Sequence, residues 1–396
     1  MHKADLVSAQ ARECHRRWLL EVTQIPTAAG RESRVIAWIE AFVRERPDVV
    51  LSRDPAGNLV LRLAADANPA TPALYFTAHL DHPAFVVESV DNASEFIVSF
   101  RGGVMDDYFK DARIDLFDAA DTRHPAALLG EAASGDSAFK HYRCRTDRPS
   151  AALKPGDVGV WALPAAHISE GLVHTPACDD LAAAVAALAA FDELRASPPA
   201  SAMPVRLLFT RAEEIGFVGA IAATRHATMP KGSRVIALEN SRSFSDSPIG
   251  AGPIVRVGDR LSIFSPTLTD AVARRAQDLG GPQPTARDTI KPGAWRWQRK
   301  LMAGGACEAS VFCEAGYEAT CVCLPLGNYH NMADLDAVQA GTNTTPPRVG
   351  LEFVSLADFE GMVDLLIACG NHLPHAAPKA PLFDSLFDKG RHVLEA

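Results

Sequence analysis

A short apolar run, Val205–Thr210, leads straight into the pair Glu213-Glu214 and a turn with glycines at 216 and 219. No other stretch restricts the fold as much as this one, VRLLFTRAEEIGFVG. Apolarity on both sides of a strand marks one covered on both faces, as in a largely parallel sheet. Adjacent carboxylates just past its end point in different directions, so one can bind a cation while its neighbour faces another partner. Four more stretches end with a side chain able to ligate a metal at or near the close of an apolar run. They are LYFTAHLD (Leu74–Asp81), HTPACDD (His174–Asp180), RVIALEN (Arg234–Asn240) and TCVCLPLGNYH (Thr320–His330). In open α/β sheets ligands bind beyond the carboxyl ends of the strands, and a fold of that kind would bring all five stretches together.

Taken in order, the periodicity predicts two amphipathic helices within residues 3–47, joined by Thr23–Arg31. Glu32 stands at the start of the second, suited to the positive end of its dipole. Strands follow at Val49–Ser52 and Asn58–Leu63, then at Ala73–Ala78, closing on His79. From Phe85 to Leu163 the texture changes to short alternating strands with frequent turns: Phe85–Val90, Glu95–Arg101, Ala126–Gly130, Ala138–Arg145 and Asp157–Leu163. This predicts an inserted β-rich domain over 85–170, with 1–84 and 171–396 forming the two parts of the α/β domain that contains it. The α/β pattern resumes with a helix at Leu181–Leu194, strand Val205–Thr210, a helix ending near His226 and strand Arg234–Glu239. A Gly/Pro/Ser-rich loop is expected through Arg260, then a helix at Leu268–Leu279 and a strand near Gln283–Arg287. Helix Ser310–Ala315, strand Ala319–Leu324, a last helix at Leu356–Ala368 and a loosely packed tail complete the chain.

The 396 residues carry a net charge of −9 with no basic run, which argues against nucleic acid or an acidic membrane as partner. No segment reaches the roughly 18–20 apolar residues of a membrane span, and no signal-peptide pattern opens the chain. The eight cysteines lack CxxC pairs and read as reduced thiols of a cytoplasmic protein. Cys321-x-Cys323 has no second pair to complete a structural zinc site.

The chemistry lies in His79, Asp179, Glu213, Glu214, Glu239 and His330. Each has an ordinary alternative: a surface histidine, a helix N-cap for Asp179–Asp180, a solvated turn for the glutamate pair, an exposed strand end for Glu239, a loop residue for His330. Their shared placement favours a site, and Asp81 is set to orient His79 from two residues on. Imidazole and carboxylate without thiolate suit zinc, cobalt or manganese in hydrolytic work. One bridging carboxylate with a His and a carboxylate per ion would hold two ions about 3.5–4 Å apart. His82, His174 and Asp180 lie nearby in sequence but are left out of the ligand set. No GxSxG, P-loop or strand-to-helix GxGxxG competes.

These residues resemble the M42 group of co-catalytic metallo-aminopeptidases, within the wider zinc exopeptidase clan. The likeness rests on AH-x-D at Ala78–Asp81, the Asp179–Asp180 pair before a helix, EE-x-G-x-x-GA at Glu213–Ala220, Glu239 closing a strand, and Tyr329-His330. It implies a mixed-sheet catalytic domain with an inserted oligomerisation domain, and a homo-oligomer. It also implies two divalent ions per chain, zinc foremost, held by His79, Asp179 (bridging), Glu214, Glu239 and His330. Glu213 would then be the general base and Asp81 the residue orienting His79. The chain departs from the family pattern at Leu181, where Arg is usual. It departs again at Gly304-Gly-Ala-Cys-Glu-Ala309, where GGTDA is usual, and at Asn331, where Ser usually follows the last ligand. The expected substrate is a short peptide with a free N-terminus. A deacylase of N-acyl amino acids or related amides, and a binding protein of the same fold without turnover, are the alternatives.

Overall fold

The computed structural model describes residues 6–198, 203–283, 294–374 and 380–394. Two helices open the chain, α1 (Ala9–Val22) and α2 (Ser33–Arg44). Ser8 starts the first by accepting from Ala11 N at 3.1 Å, an N-cap in the ordinary sense. Strands β1 (Val49–Arg53), β2 (Leu59–Leu63) and β3 (Leu74–His79) come next.

Six antiparallel strands then close into a barrel: β4 (Ala84–Val90), β5 (Glu95–Arg101), β6 (Arg113–Phe117), β7 (Arg123–Ala132), β8 (Lys140–Thr146) and β9 (Val158–Trp161). Its interior is aromatic, with the rings of Phe85 and Trp161 4.8 Å apart and those of Phe109 and Tyr142 stacked at 4.4 Å. Strand β6 was not foreseen: RIDLF lies among the charged and turn residues that break the pattern on either side. Closure leaves no free edges, so this β unit interrupts the α/β chain without adding a strand to the main sheet.

The remaining elements are β10 (His167–Ser169), β11 (Leu172–Thr175), α3 (Leu181–Ala196), β12 (Val205–Thr210), α4 (Val218–Arg225), β13 (Arg234–Arg242), β14 (Ile254–Gly258) and α5 (Pro266–Gly280). After them come β15 (Gln298–Leu301), α6 (Glu308–Glu314), β16 (Glu318–Leu326), α7 (Leu335–Ala340), β17 (Glu352–Ser355), α8 (Leu356–Asn371) and α9 (Ala380–Gly390). The eight-stranded sheet runs β1-β2-β12-β3-β13-β16-β14-β15, with β12, β3, β13 and β16 parallel and β14 antiparallel to β16. Strand β14 lies in the stretch expected to be loop through Arg260. Flanking glycines hide it, and it is held by pairing with β16 rather than by its own pattern. The strand expected near Gln283–Arg287 falls outside the described residues beyond Gln283.

Helices α1, α2, α3, α5 and α8 share one core on one face of the sheet, while α4 and α6 cover the other. All six residues of β3 are buried, as double cover demands. Helix α3 is buried around its circumference from Leu181 to Phe191. Its alanines let it lie close against the sheet while costing no side-chain entropy. Among the described residues no helix is long and apolar enough to cross a membrane.

Candidate metal centre

Four parallel neighbours bring their carboxyl ends to one rim, and each delivers a candidate ligand there. His79 is the last residue of β3, in register with Thr210, the last of β12. The chain leaves β12 through a turn in which Ala212 is left-handed, φ 54°. That turn is pinned from two sides. Glu32, buried at the start of α2, accepts from Ala212 N at 3.0 Å and Arg211 Nε at 2.8 Å. Asp81 accepts from Glu213 N at 2.9 Å and Glu214 N at 3.0 Å. The two glycines of the motif have separate reasons. Gly216 sits at φ +113°, and a Cβ at Gly219 would stand 2.3 Å from the Arg211 carbonyl oxygen.

Glu239 lies inside β13 opposite Cys323 of β16 and is buried, not an exposed strand end. His330 sits in a short turn after β16, itself left-handed at φ 55°. Asp179 lies two residues before the start of α3, and its peptide with Asp180 is cis. Asp180 occupies the N-cap position of α3 without capping it; its carboxylate accepts instead from His79 N at 3.3 Å.

The cluster divides around Asp179. Ligand atoms of His79, Asp179 and Glu239 lie within 4.8 Å of one another, as do those of Asp179, Glu214 and His330. His79, Glu213 and Glu214 form a third such group. His79 Nε2 is 3.4 Å from Asp179 Oδ1, and His330 Nε2 is 3.5 Å from Asp179 Oδ2 and from Glu214 Oε2. Both imidazoles are oriented through Nδ1: His330 towards the Gly103 carbonyl at 2.6 Å, His79 towards the Asp81 carbonyl at 3.1 Å. A proton on Nδ1 in each ring leaves both Nε2 atoms free as ligands. Asp81 thus meets His79 more closely with its backbone oxygen than with its carboxylate, which lies 3.5 Å away and is engaged by the glutamate turn.

The donor set fits a cation. Asp179 Oδ1, Asp180 Oδ1, Glu214 Oε1, Asn240 Oδ1 and Glu308 Oε1 are buried acceptors without hydrogen-bond partners, an expensive state unless positive charge lies among them. Burial first, and neighbouring carboxylates second, push Glu213, Glu214 and Glu239 well above the usual carboxylate range. Burial works the same way on Asp179, but the facing imidazoles of His330 and His79 override it and hold that carboxyl low. For His79, burial opposes the charged form, yet Glu213, Asp179 and Asp81 raise its pKa well above the ordinary value. Cys307, Cys321 and Cys323 pack in a separate apolar cluster and belong to none of the ligand groups.

Several supporting contacts had no readable signal. Glu352 of β17 accepts from Cys178 N at 2.7 Å, Asp179 N at 3.1 Å and His330 N at 2.8 Å, tying two candidate ligands together. His82 bonds the Asp179 carbonyl at 2.5 Å through Nδ1 and Asn331 Oδ1 at 3.0 Å through Nε2. Glu308, buried behind His79, Asp81 and Thr210, has its carboxyl raised to about 7, chiefly by burial.

Comparison with known proteins gives this arrangement relatives. No curated protein matches the chain. Among solved structures it is similar to the TET1 peptidase of Pyrococcus horikoshii, at 21% identity over 91% of this chain and 100% of that one, TM-score 0.67. A TET aminopeptidase from a marine-sediment thaumarchaeon shares 17% identity over 91% and 97%, TM-score 0.71. An aminopeptidase of Desulfurococcus kamchatkensis shares 16% over 91% and 95%, TM-score 0.68. At such identities the likeness establishes the fold, a mixed α/β sheet domain interrupted by a small β unit. Residues 140–343 match the M42 glutamyl aminopeptidase sequence pattern. That stretch is just over half of the chain, running from β8 past His330 and taking in every candidate ligand except His79. The chain therefore belongs to the M42 glutamyl aminopeptidase family of metal-dependent hydrolases.

Proposed function

We propose that the chain is a di-metal aminopeptidase that removes N-terminal residues from short peptides. One ion would be held by His79, Asp179 and Glu239, the other by Asp179, Glu214 and His330, with zinc the ion best suited to this donor set. The observation that carries the reading is the position of Asp179, whose two carboxylate oxygens face the two imidazoles separately. Such ions supply Lewis acidity towards the scissile carbonyl and a more acidic attacking water. Glu213 is the carboxylate that neither Asp179-centred group needs, 3.8 Å from His79 Nε2. It takes the proton from the attacking water and returns it to the leaving amine. Asp81 holds that glutamate at its backbone, and Gly103 and Glu352 fix His330.

Assembly follows the same reasoning. The neighbour from P. horikoshii is described as forming a tetrahedron or a large octahedral shell, and a related structure is described as a dodecamer. Together with the closed barrel this supports a homo-oligomer built through an inserted domain over 85–170. All eight cysteines are free thiols, which supports a reducing, cytoplasmic setting.

Metal content per chain, measured beside hydrolysis of a free-amine peptide and its N-acylated twin, tests the reading. Two ions with cleavage of the free-amine substrate alone is the expected result. Cleavage of the acylated twin alone would replace it with a deacylase, and a chain that binds no divalent ion would end it.

A further inference from the structure

The last helix of the chain, α9, leaves its apolar residues uncovered. Leu382, Phe383, Leu386 and Phe387 recur at i, i+1, i+4 and i+5 and so share one face. All four are between 55% and 59% exposed, and Val393 and Leu394 in the short turn that follows are exposed as well. Among the described residues none of the six belongs to an apolar cluster of the body. Monomers rarely leave contiguous apolar surface of this kind open to water. A helix of 11 residues is also marginal in water on its own, and draws its stability from packing an amphipathic face. Both arguments call for a partner on that face.

The polar residues say which partner. Asp384 and Asp388 come first along the segment, and Lys389 and Arg391 come after them. Two acids against two bases leave residues 380–394 without net charge but with a charge polarity from one end to the other. A lipid-seeking helix would instead crowd Lys and Arg around its polar face. Two copies laid side by side in the same direction would set acid over acid and base over base. Turned end for end, each copy lays its acids beside the bases of the other while the Leu and Phe faces meet. The segment is its own complement, which is the condition for a two-fold contact.

We propose that α9 pairs antiparallel with α9 of a second copy of this chain, as a tether separate from any contact made through the barrel. Helix α8 ends at Asn371 and α9 begins at Ala380, so residues 372–379 set the reach. Fully extended, they span at most about 26–29 Å. Paired tails therefore keep two bodies close and raise the effective concentration of every other contact between them. The tether does not depend on the aminopeptidase reading, because no residue of α9 is placed at the metal centre.

The test is mass by light scattering, followed on dilution. The parent chain is expected to keep its assembled mass to at least about tenfold greater dilution than a chain ended at Pro374. Asp384→Lys with Asp388→Lys makes the helix wholly basic, and Lys389→Glu with Arg391→Glu makes it wholly acidic. Each of these variants alone should behave as the shortened chain does. An equimolar mixture of the two should regain the parent's resistance to dilution. Leu386→Asp with Phe387→Asp should behave as the shortened chain alone and in any mixture. Near-ultraviolet circular dichroism, which reads the aromatic packing of the body, should match the parent throughout and show that every variant folds. Equal dilution profiles for parent and shortened chain overturn the tether. A mixture of the charge-reversed variants that recovers nothing overturns pairing between copies, even if the shortened chain differs. Binding of the parent, and not of the shortened chain, to phosphatidylcholine–phosphatidylserine vesicles with no change in mass would give the face to a membrane and overturn the proposal.

Discussion

At Glu213 and Glu214 the backbone N–H groups are both held by the one carboxylate of Asp81, so their side chains diverge from a fixed root. Replacing Glu213 by Gln keeps the size and the backbone contacts while removing the proposed base. Turnover is expected to fall by at least about 100-fold with metal content unchanged; near-parental kcat would transfer the role elsewhere. Asp179→Ala removes the residue common to both His-containing pairs, and metal analysis should show at least one ion lost per chain. Glu308 carries a pH signature. Its carboxyl is raised in the folded, metal-stripped chain to about 7, above its unfolded value, so its contribution is fully present below that unfolded value, about 4.3, and is lost as pH rises through about 7. Glu308→Gln should therefore flatten the melting temperature of stripped protein across that window; an unchanged profile would show that Glu308 is not its source. The candidate ligands were legible because each stands at or near the end of an apolar run. Glu32, Glu352 and Asp81's hold on the turn were not, because these acids act on backbone N–H groups of distant segments, and no spacing records that.

At the level of elements, the strands that carry the centre are readable where both faces are covered. Val205–Thr210 matches the expectation residue for residue, because six apolar-rich positions and a following turn leave little freedom. Strands β6 and β14 escaped because their stability comes from neighbours: Ile114 to Phe117 pair with β9, and Ile254 to Arg256 with β16. The turn after β12 is the most demanding element. Gly219→Ala would place a methyl 2.3 Å from one backbone atom of Arg211 and 2.5 Å from another, a clash with groups that cannot swing aside. A loss of roughly 1–3 kcal/mol or more is expected, read as a lower denaturant midpoint together with reduced metal affinity. Parental values for both would mean the approach is looser than it stands here. The helix beginning at Leu181 was legible from composition, but not the use of Asp180, which braces His79 rather than capping.

For the whole molecule, the inserted barrel does more than interrupt. Gly103, in the segment after β5, orients His330, and the Tyr108 hydroxyl donates to the Ala333 carbonyl at 2.7 Å. Deleting the barrel is therefore expected to alter assembly, seen by light scattering, and also to weaken metal binding on the His330 side; unchanged affinity would show that Gly103 is dispensable. Metal removal has a signed consequence as well. Glu213, Glu214 and Glu239 are held above their unfolded values by burial and mutual repulsion, so the stripped chain loses stability as pH rises through those raised values. Thermal unfolding with and without chelator should show a gap that widens from acid to alkaline pH, and a gap of constant width would remove the cluster as its cause.

The order of residues along the chain also sets an order in time. His79 leaves the ribosome early, the barrel strands follow and can close on one another, and His330 comes 251 residues after His79. At about 5–20 residues per second the first imidazole waits roughly 12–50 seconds for the last. For the first part of that interval, until Val205–Thr210 and Arg234–Arg242 have been made, the strand ending at His79 lacks its parallel partners β12 and β13, while the barrel strands are already in hand beside it. The nascent chain is thus born with half a centre and a finished domain, and a cation captured then would meet only a fragment of its cage.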